Sequence, residues 1–207
     1  MLETERQPLT RRRIADAALQ MIDELGLDAL SMRKLGGELG VEAMSLYNYV
    51  TNKADLLDAV ADRLYGDVLD AYGHPDGDWK VHARALSHAY VDVAAAHPRA
   101  VSLLISPASG SANAEEFDAR IVGAAQLMTS DPRTGALAFS TVACWVIGTI
   151  VQEHGLIQTP TPRVSDSDVA EHMATFRSAA ESLSTADRFN EGLETVLAGL
   201  EARYFPS

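Results

Sequence analysis

The twenty residues from 31 to 50, SMRKLGGELGVEAMSLYNYV, constrain the fold more than any other part of this chain. Ser31 is a typical N-cap, so we expect a helix to begin just after it. Gly40 tolerates the left-handed backbone that ends a helix and turns the chain. The segment therefore predicts two short helices joined by a tight turn. Its apolar residues recur at helical spacing on both sides of the turn. They are Leu35, Leu39, Val41, Leu46 and Val50.

Two helices joined in this way are typical of the helix-turn-helix, which presents its second helix to the DNA major groove. The flanking residues support that interpretation. Thr10 and Gly26 are suited to cap and to end a preceding helix, whose apolar residues recur from 14 to 25. Asn52 to Asp55 resembles a capping box that opens a further helix. We therefore predict a three-helix head followed by a long helix.

The remainder of the chain is also predicted to be helical. Few segments alternate with the period of two that a half-buried strand requires. The stretch from Gly73 to Gly77 breaks the long helix, and helical apolar patterns then continue to the C-terminus. The sequence predicts an all-α protein of about nine or ten helices, with a small N-terminal head and a larger C-terminal helical bundle.

Residues 134–152 carry no charged side chain, which leaves two interpretations open. A membrane-spanning helix needs roughly 20 predominantly apolar residues, and this segment approaches that length. It also contains Ser140, Thr141 and Thr149, however, and no Lys or Arg cluster flanks it. The composition favours a helix buried in a soluble protein or in a dimer, and we expect no membrane association.

The distribution of charge, the cysteine content and the N-terminal residues indicate the cellular compartment of the protein. Residues 1–53 hold seven basic and eight acidic side chains, so the acidity behind the net charge of −12 belongs to the rest of the chain. The single Cys144 forms no intrachain disulfide, and its apolar neighbours predict that it is buried. Residues 1–6 are polar and lack the apolar core of a signal peptide. We expect a cytoplasmic protein.

The N-terminal third resembles the tetracycline-repressor (TetR) family of bacterial transcriptional regulators over roughly sixty positions. The resemblance implies a DNA-binding domain at 1–55 with its motif at 31–50, and an effector-binding and dimerisation domain at 56–207 that begins with a connecting helix at 56–72. It also implies a homodimer through the helices at 134–152 and 186–204. The matching residues are Leu25-Gly26-Leu27, Leu30-Ser-Met-Arg-Lys-Leu35, Leu39-Gly-Val41, Ser45-Leu-Tyr47-Asn-Tyr49-Val50, Asn52-Lys53 and Leu56-Leu57, with Phe189-Asn-Glu-Gly-Leu193 to Gly199-Leu-Glu201 in the closing helix.

The resemblance also implies which residues contact DNA. The start of the second helix would attract a phosphate, and the groove-facing part of the third helix would read base edges or thymine methyl groups. Tyrosine hydroxyls and a lysine would contact phosphates. The expected DNA-binding residues are Ser31, Met32, Arg33, Ala43, Met44, Ser45, Tyr47, Asn48, Tyr49 and Lys53.

The expected effector differs from that of the tetracycline repressors. Leu69, Leu86 and Leu104 stand where polar and histidine side chains grip the drug and its magnesium ion in those proteins. A magnesium–tetracycline pocket is therefore not expected, nor is a metal site or another cofactor, because the histidines have no metal-ligand spacing. We predict a largely apolar small-molecule effector. The candidate ligand contacts are Tyr90, Met128, Trp145 and Gln152.

These observations lead to one function and one alternative. We predict a ligand-responsive regulator, a repressor that binds a palindromic operator as a homodimer and is released by its effector. The alternative is a helical ligand-binding or adaptor module with weak or lost DNA binding. We do not expect an enzyme, because the sequence contains no Gly-rich phosphate loop, nucleophile elbow or paired-carboxylate motif.

Overall fold

The computed structural model describes residues 8–105, 110–156 and 167–204, and every regular element within these ranges is a helix. The prediction of an all-α protein is confirmed. The chain divides into two compact units, Met1–Leu127 and Met128–Ser207. The α-helices are α1 (Arg11–Leu25), α2 (Met32–Leu39), α3 (Ala43–Leu46), α4 (Lys53–Tyr72), α5 (Trp79–Ala96), α6 (Val101–Leu104), α7 (Ala112–Met128), α8 (Pro132–Glu153), α9 (Ser167–Glu181) and α10 (Thr185–Tyr204).

Short polar side chains begin most of the long helices. Each accepts a hydrogen bond from a backbone N–H two or three residues further along, which satisfies a donor that the helix itself leaves unpaired. These N-caps are Thr10, Ser31, Asn52, Asp78 and Asp131. The first three confirm the predicted starts of α1, α2 and α4. Asp55 departs from the predicted capping box, because its carboxylate accepts the N–H of Thr51 (2.6 Å) rather than that of Asn52.

The core of the first unit lies where α4 packs against α1 and α5. One stripe of α1 and one of α4 are almost completely buried. Removing a side chain of this size from water contributes about 1.5–3 kcal/mol each. Their largest buried members are Ile14, Ile22, Leu56, Leu64 and Val68. Leu25, which belongs to the same predicted pattern, is 59% exposed because it is the last residue of α1 and extends past the core.

In the second unit, α8 packs against α10. The buried stripe of α8 consists of Gly135, Ala138, Val142, Val146 and Ile150. Cys144 lies outside that stripe and is exposed, so the prediction that it is buried was wrong. Apolar neighbours in the sequence did not decide burial, because residues two apart on a helix face different directions.

Helix α8 is long and apolar enough to cross a membrane, but only 28% of its most apolar window is buried within the chain. The exposed part includes Leu137 and Ile147. The stripe that packs on α10 accounts for the buried part. Within one copy of the chain the helix is thus only partly buried, and the expectation that it is buried in a soluble protein or in a dimer stays a prediction.

Other boundaries agree with the sequence to within a few residues. Helix α8 contains the predicted residues 134–152, and α10 begins at Thr185 rather than at residue 186. Residues 1–6, interpreted above for the absence of a signal peptide, lie outside the described residues. The division of the chain at residues 55 and 56 stays a prediction.

Candidate nucleic-acid interface

The turn between α2 and α3 depends on two glycines. Gly40 has φ +65° and ψ 32°, a left-handed conformation that ends α2. A Cβ on Gly36 would lie 2.9 Å from the carbonyl oxygen of Val41 and 3.1 Å from the backbone nitrogen of Ala43. Gly36 therefore allows α3 to approach α2 closely, which explains a glycine inside a helix. The adjacent Gly37 has no such contact, and nothing in the structure explains it.

Helix α3 is shorter than its apolar pattern indicates. Regular α-helix ends at Leu46, and the backbone N–H groups of Tyr49 and Val50 both donate to the Leu46 carbonyl, at 2.9 and 3.0 Å. The backbone forms a tighter turn after Leu46, and the side chains of Leu46 and Val50 at its two ends are both buried in the core. The residues between these two anchors are consequently directed outwards.

The side chains expected to read DNA form one exposed surface around α3. Tyr47, Asn48 and Tyr49 are all exposed, and Met44 is 72% exposed. Ala43 and Ser45 are half-buried at the same end of the motif. We call Met44, Tyr47, Asn48 and Tyr49 the reading surface. Large apolar and aromatic groups lose favourable burial when exposed, so their clustering here is typical of a binding surface.

The start of α2 carries the second predicted contact region. The Ser31 hydroxyl accepts a hydrogen bond from the Lys34 N–H (3.3 Å), so this side chain is a cap in the free chain. Met32 is half-buried and Arg33 is exposed. The first N–H groups of α2 and the Arg33 guanidinium supply donors of the kind that bind phosphate.

Arg11 joins the reading surface to the long helix α4. Its guanidinium donates to the Tyr49 carbonyl (2.9 Å) and pairs with the Asp55 carboxylate. This hydrogen bond, together with the Thr51 N–H, holds the pKa of Asp55 well below its usual range. The pair fixes the end of the α3 segment beside the start of α4. Lys53, the last predicted DNA contact, is exposed in the first turn of α4.

Two family models match the sequence of this chain. "Bacterial regulatory proteins, tetR family" matches residues 14–60, and "Tetracyclin repressor-like, C-terminal domain" matches residues 73–204. The chain belongs to the TetR family. The tetracycline repressor protein class D of Escherichia coli is 29% identical over 204 residues, covering 94% of this chain and 90% of that protein. The family identifies this chain as a transcriptional regulator.

Other similar proteins agree with this assignment. The HTH-type transcriptional repressor DrrR1 of Streptomyces coeruleorubidus is 38% identical over 90 residues, which are 44% of this chain and 33% of DrrR1. This chain therefore spans about a third of DrrR1. The crystal structure of Streptomyces coelicolor ActR in complex with (S)-DNPA has a TM-score of 0.76 and 25% identity, covering 96% of this chain and all of that one.

The predicted effector contacts lie in different surroundings. Tyr90 is buried in the first unit, where its hydroxyl donates to the Leu104 carbonyl (2.7 Å) and burial raises its pKa. Met128 is buried at the start of the second unit. Trp145 and Gln152 both line one cavity between α8 and α10. The structure thus brings two of the four residues together.

The sequence does not predict several contacts that organise the first unit. Tyr65 of α4 donates to the Leu104 carbonyl (3.2 Å), the same oxygen that accepts from Tyr90 of α5. His97 pairs with Asp23 of α1 (2.8 Å). These partners are separated by 14 to 74 residues. No local pattern in the sequence signals them, because only the folded chain brings them together.

Proposed function

We propose that two copies of this chain bind a palindromic DNA operator through their reading surfaces and are released by a small-molecule effector. The observation that carries this proposal is the exposure of Met44, Tyr47, Asn48 and Tyr49 directly above the buried anchors Leu46 and Val50. A segment held from below and exposed above is suited to insertion into a groove.

Each part of the reading surface has an assigned role in the proposal. Asn48 and Ser45 donate to and accept from base edges, while Met44 and Ala43 contact thymine methyl groups. Tyr47, Tyr49 and Lys53 bind phosphates on one side, and Ser31, Met32 and Arg33 bind them at the start of α2. Phosphate contacts set the register and base contacts supply the sequence preference.

Dimerisation is proposed to occur through α8 and α10. Leu137, Ser140, Cys144 and Ile147 recur every three or four residues on α8, and all four are exposed. On α10 the exposed positions include the small residues Thr195, Ala198, Gly199 and Ala202, which allow close helix contact. Burying these faces against a second copy stabilises the dimer in proportion to the apolar area removed from water.

Effector release is proposed to act through α4, which spans about 30 Å as a helix of 20 residues. Tyr65 links this helix to the last residue of α6 through the Leu104 carbonyl. A ligand that displaces α6 would therefore bias the position of α4, and with it the separation of the two reading surfaces. Coupling of this kind lowers operator affinity when the effector binds. The ligand in the ActR complex, (S)-DNPA, supports a small-molecule effector.

A gel-shift assay with the DNA upstream of the gene that encodes this chain tests the proposal. We expect a shifted complex at moderate salt and a protected palindrome in footprinting. The double variant Tyr47→Ala with Lys53→Ala should lose this complex while keeping its helical circular dichroism and its dimer mass. A folded dimer that protects no DNA would instead support the adaptor alternative.

The proposed regulator is cytoplasmic, because its operator is chromosomal. The apolar α8 is explained in this proposal by contact with a second copy and not by a membrane.

A further inference from the structure

The carbonyl of Tyr49 lies at the end of the tight turn that follows α3. In the part of the chain that the structure describes, no backbone N–H donates to this oxygen. A side-chain N–H of Arg11 donates to it instead, at 2.9 Å, from a position 38 residues earlier in the sequence. A residue of α1 therefore supplies the hydrogen bond that the turn does not make for itself.

Arg11 also binds the start of α4. Its second terminal nitrogen donates to the Asp55 carbonyl (3.2 Å) and pairs with one carboxylate oxygen of Asp55. The other carboxylate oxygen accepts from the Thr51 N–H and from the Thr51 hydroxyl, at 2.6 and 3.1 Å. One guanidinium thus joins α1, the turn after α3 and α4. We call Arg11, Tyr49, Thr51 and Asp55 the Arg11 clasp.

The clasp supplies direction to a segment whose other anchors are apolar. Leu46 and Val50 are buried and fix how deeply the turn lies, but apolar contact is non-directional. Hydrogen bonds weaken steeply when they bend, so the planar guanidinium of Arg11 sets the orientation of the Tyr49 carbonyl. The orientation of this peptide group in turn determines where the neighbouring side chains of the reading surface point.

The charges around Arg11 disfavour a direct contact with DNA. The hydrogen bond to Asp55 raises the pKa of Arg11, and the charges of Asp58 and Asp62 on α4 act in the same direction. One carboxylate therefore neutralises the guanidinium already, and the others repel an approaching phosphate. Arg11 is better suited to hold DNA-binding residues in place than to bind a phosphate.

We infer that Arg11 is a positioning residue for operator recognition, which holds the reading surface in the orientation that fits the groove without contacting DNA itself. This inference rests on the proposed function and deepens it, because it names the residue that orients the surface. Arg11 should then govern binding to the operator sequence and should contribute little to the general attraction between protein and phosphate.

Amide hydrogen exchange of the full-length chain tests the clasp without DNA. In Arg11→Gln, the N–H groups of Tyr49 and Val50 should exchange about tenfold faster than in the parent chain, because the turn that they close has lost its anchor. The N–H of Leu35 in α2 should exchange at the parent rate. Arg12→Gln is the matched control, since it removes the same charge at the exposed next position, and it should change none of these rates.

Binding to two DNA duplexes then separates positioning from phosphate contact. Arg11→Gln should weaken binding to the operator about tenfold and binding to a random duplex of equal length less than about twofold. The slope of log K against log salt should stay at the parent value, whereas a lost phosphate contact would reduce it by about 0.9. Arg12→Gln should change the affinities for both duplexes by the same factor.

Two further measurements distinguish orientation from charge and from stability. Arg11→Lys keeps the charge but lacks the planar guanidinium, so it should also weaken operator binding several-fold. Circular dichroism at the assay temperature checks that each variant is folded. If Arg11 only stabilised the fold, the folded variants would bind the operator as tightly as the parent chain, and the inference would be wrong.

Three other results would overturn the inference. Exchange at Tyr49 and Val50 could be no faster in Arg11→Gln, or Arg11→Lys could bind the operator like the parent chain. Arg11→Gln could also weaken binding to both duplexes equally and reduce the salt slope, which would make Arg11 a phosphate contact. If the parent chain binds no operator, the proposed function fails, and the exchange rates alone decide whether Arg11 holds the turn.

Discussion

The N-terminal helices and the α8–α10 pair bury their apolar residues to different extents. Leu35, Leu46 and Val50 are at most 1% exposed, so the first three helices complete their core within one copy of the chain. On α8, by contrast, Leu137 is 52% exposed and Ile147 is 38% exposed. The exposed large side chains of the first region therefore lie outside a core that is already fully buried. Those on α8 belong to an apolar face that one copy of the chain leaves partly exposed. The first kind suits a DNA surface and the second a partner copy.

The largest expected effect follows from placing a charge on the exposed α8 face. Leu137→Glu should convert the dimer to a monomer, because burying an unpaired carboxylate at the interface is costly. Operator affinity should fall by about 100-fold, since each reading surface would then bind singly. Light scattering after size exclusion and a gel-shift titration measure the two effects. The control is Leu183→Glu, at a residue 50% exposed outside both helices, which should stay dimeric. An unchanged mass for Leu137→Glu would show that α8 is not the interface.

A smaller effect is expected from the two adjacent glycines of α2. Gly36→Ala should destabilise the chain by about 1–3 kcal/mol, because the new methyl group meets the Val41 carbonyl. Gly37→Ala should instead stabilise it by up to about 1 kcal/mol, since the site is exposed and alanine favours helix. Denaturant unfolding followed by circular dichroism measures both. Equal effects of the two variants would contradict the close approach of α3 to α2.

The reading surface predicts a loss of affinity without a loss of stability. Lys53→Ala should weaken operator binding several-fold and should reduce the slope of log K against log salt by about 0.9, the value for one phosphate contact. Tyr47→Phe should cost about 1 kcal/mol of binding through its missing hydroxyl. Arg133→Gln, an exposed basic residue on α8, is the control. A salt slope for Lys53→Ala equal to that of the parent chain would remove this lysine from the interface.

The smallest effect concerns the pair of Arg11 and Asp55. The folded pKa of Asp55 lies below its unfolded value of about 3.9, so the contribution of this carboxylate to stability is complete above that pH and is lost as the pH falls. Asp55→Asn should therefore lower the free energy of unfolding at neutral pH by up to about 1 kcal/mol, because the pair is partly exposed. It should also flatten the decline in stability from about pH 4 to pH 2. Glu38→Gln is the exposed control; identical pH profiles for both variants would refute the pairing.

Much of the fold could be predicted because its determinants are local. A cap such as Thr10 or Asn52 accepts a hydrogen bond from a backbone N–H three residues away. Gly40 ends α2 because glycine readily adopts a positive φ angle. Burial of the stripes on α1 and α4 follows from their helical period. The pattern of apolar and polar residues from 43 to 50 predicts the reading surface. It does not predict that regular α-helix ends at Leu46.

The rest depends on contacts between distant segments. The exposure of Cys144 depends on which face of α8 packs against α10, and the exposure of Leu25 depends on where α1 ends relative to the core. The partner of Arg11 is 44 residues away, and the contact of Trp145 with Gly192 joins two helices. The periodicity of one helix carries no information about these partners.

Hydroxyl-radical footprinting of the operator with the parent chain and with Leu137→Glu tests most directly whether paired reading surfaces bind DNA. The account predicts two protected patches for the parent chain, centred about 34–36 Å apart on one face of the duplex, and no stable protection for the variant. A single unpaired patch for the parent chain, or identical protection by the parent chain and the monomeric variant, would contradict it.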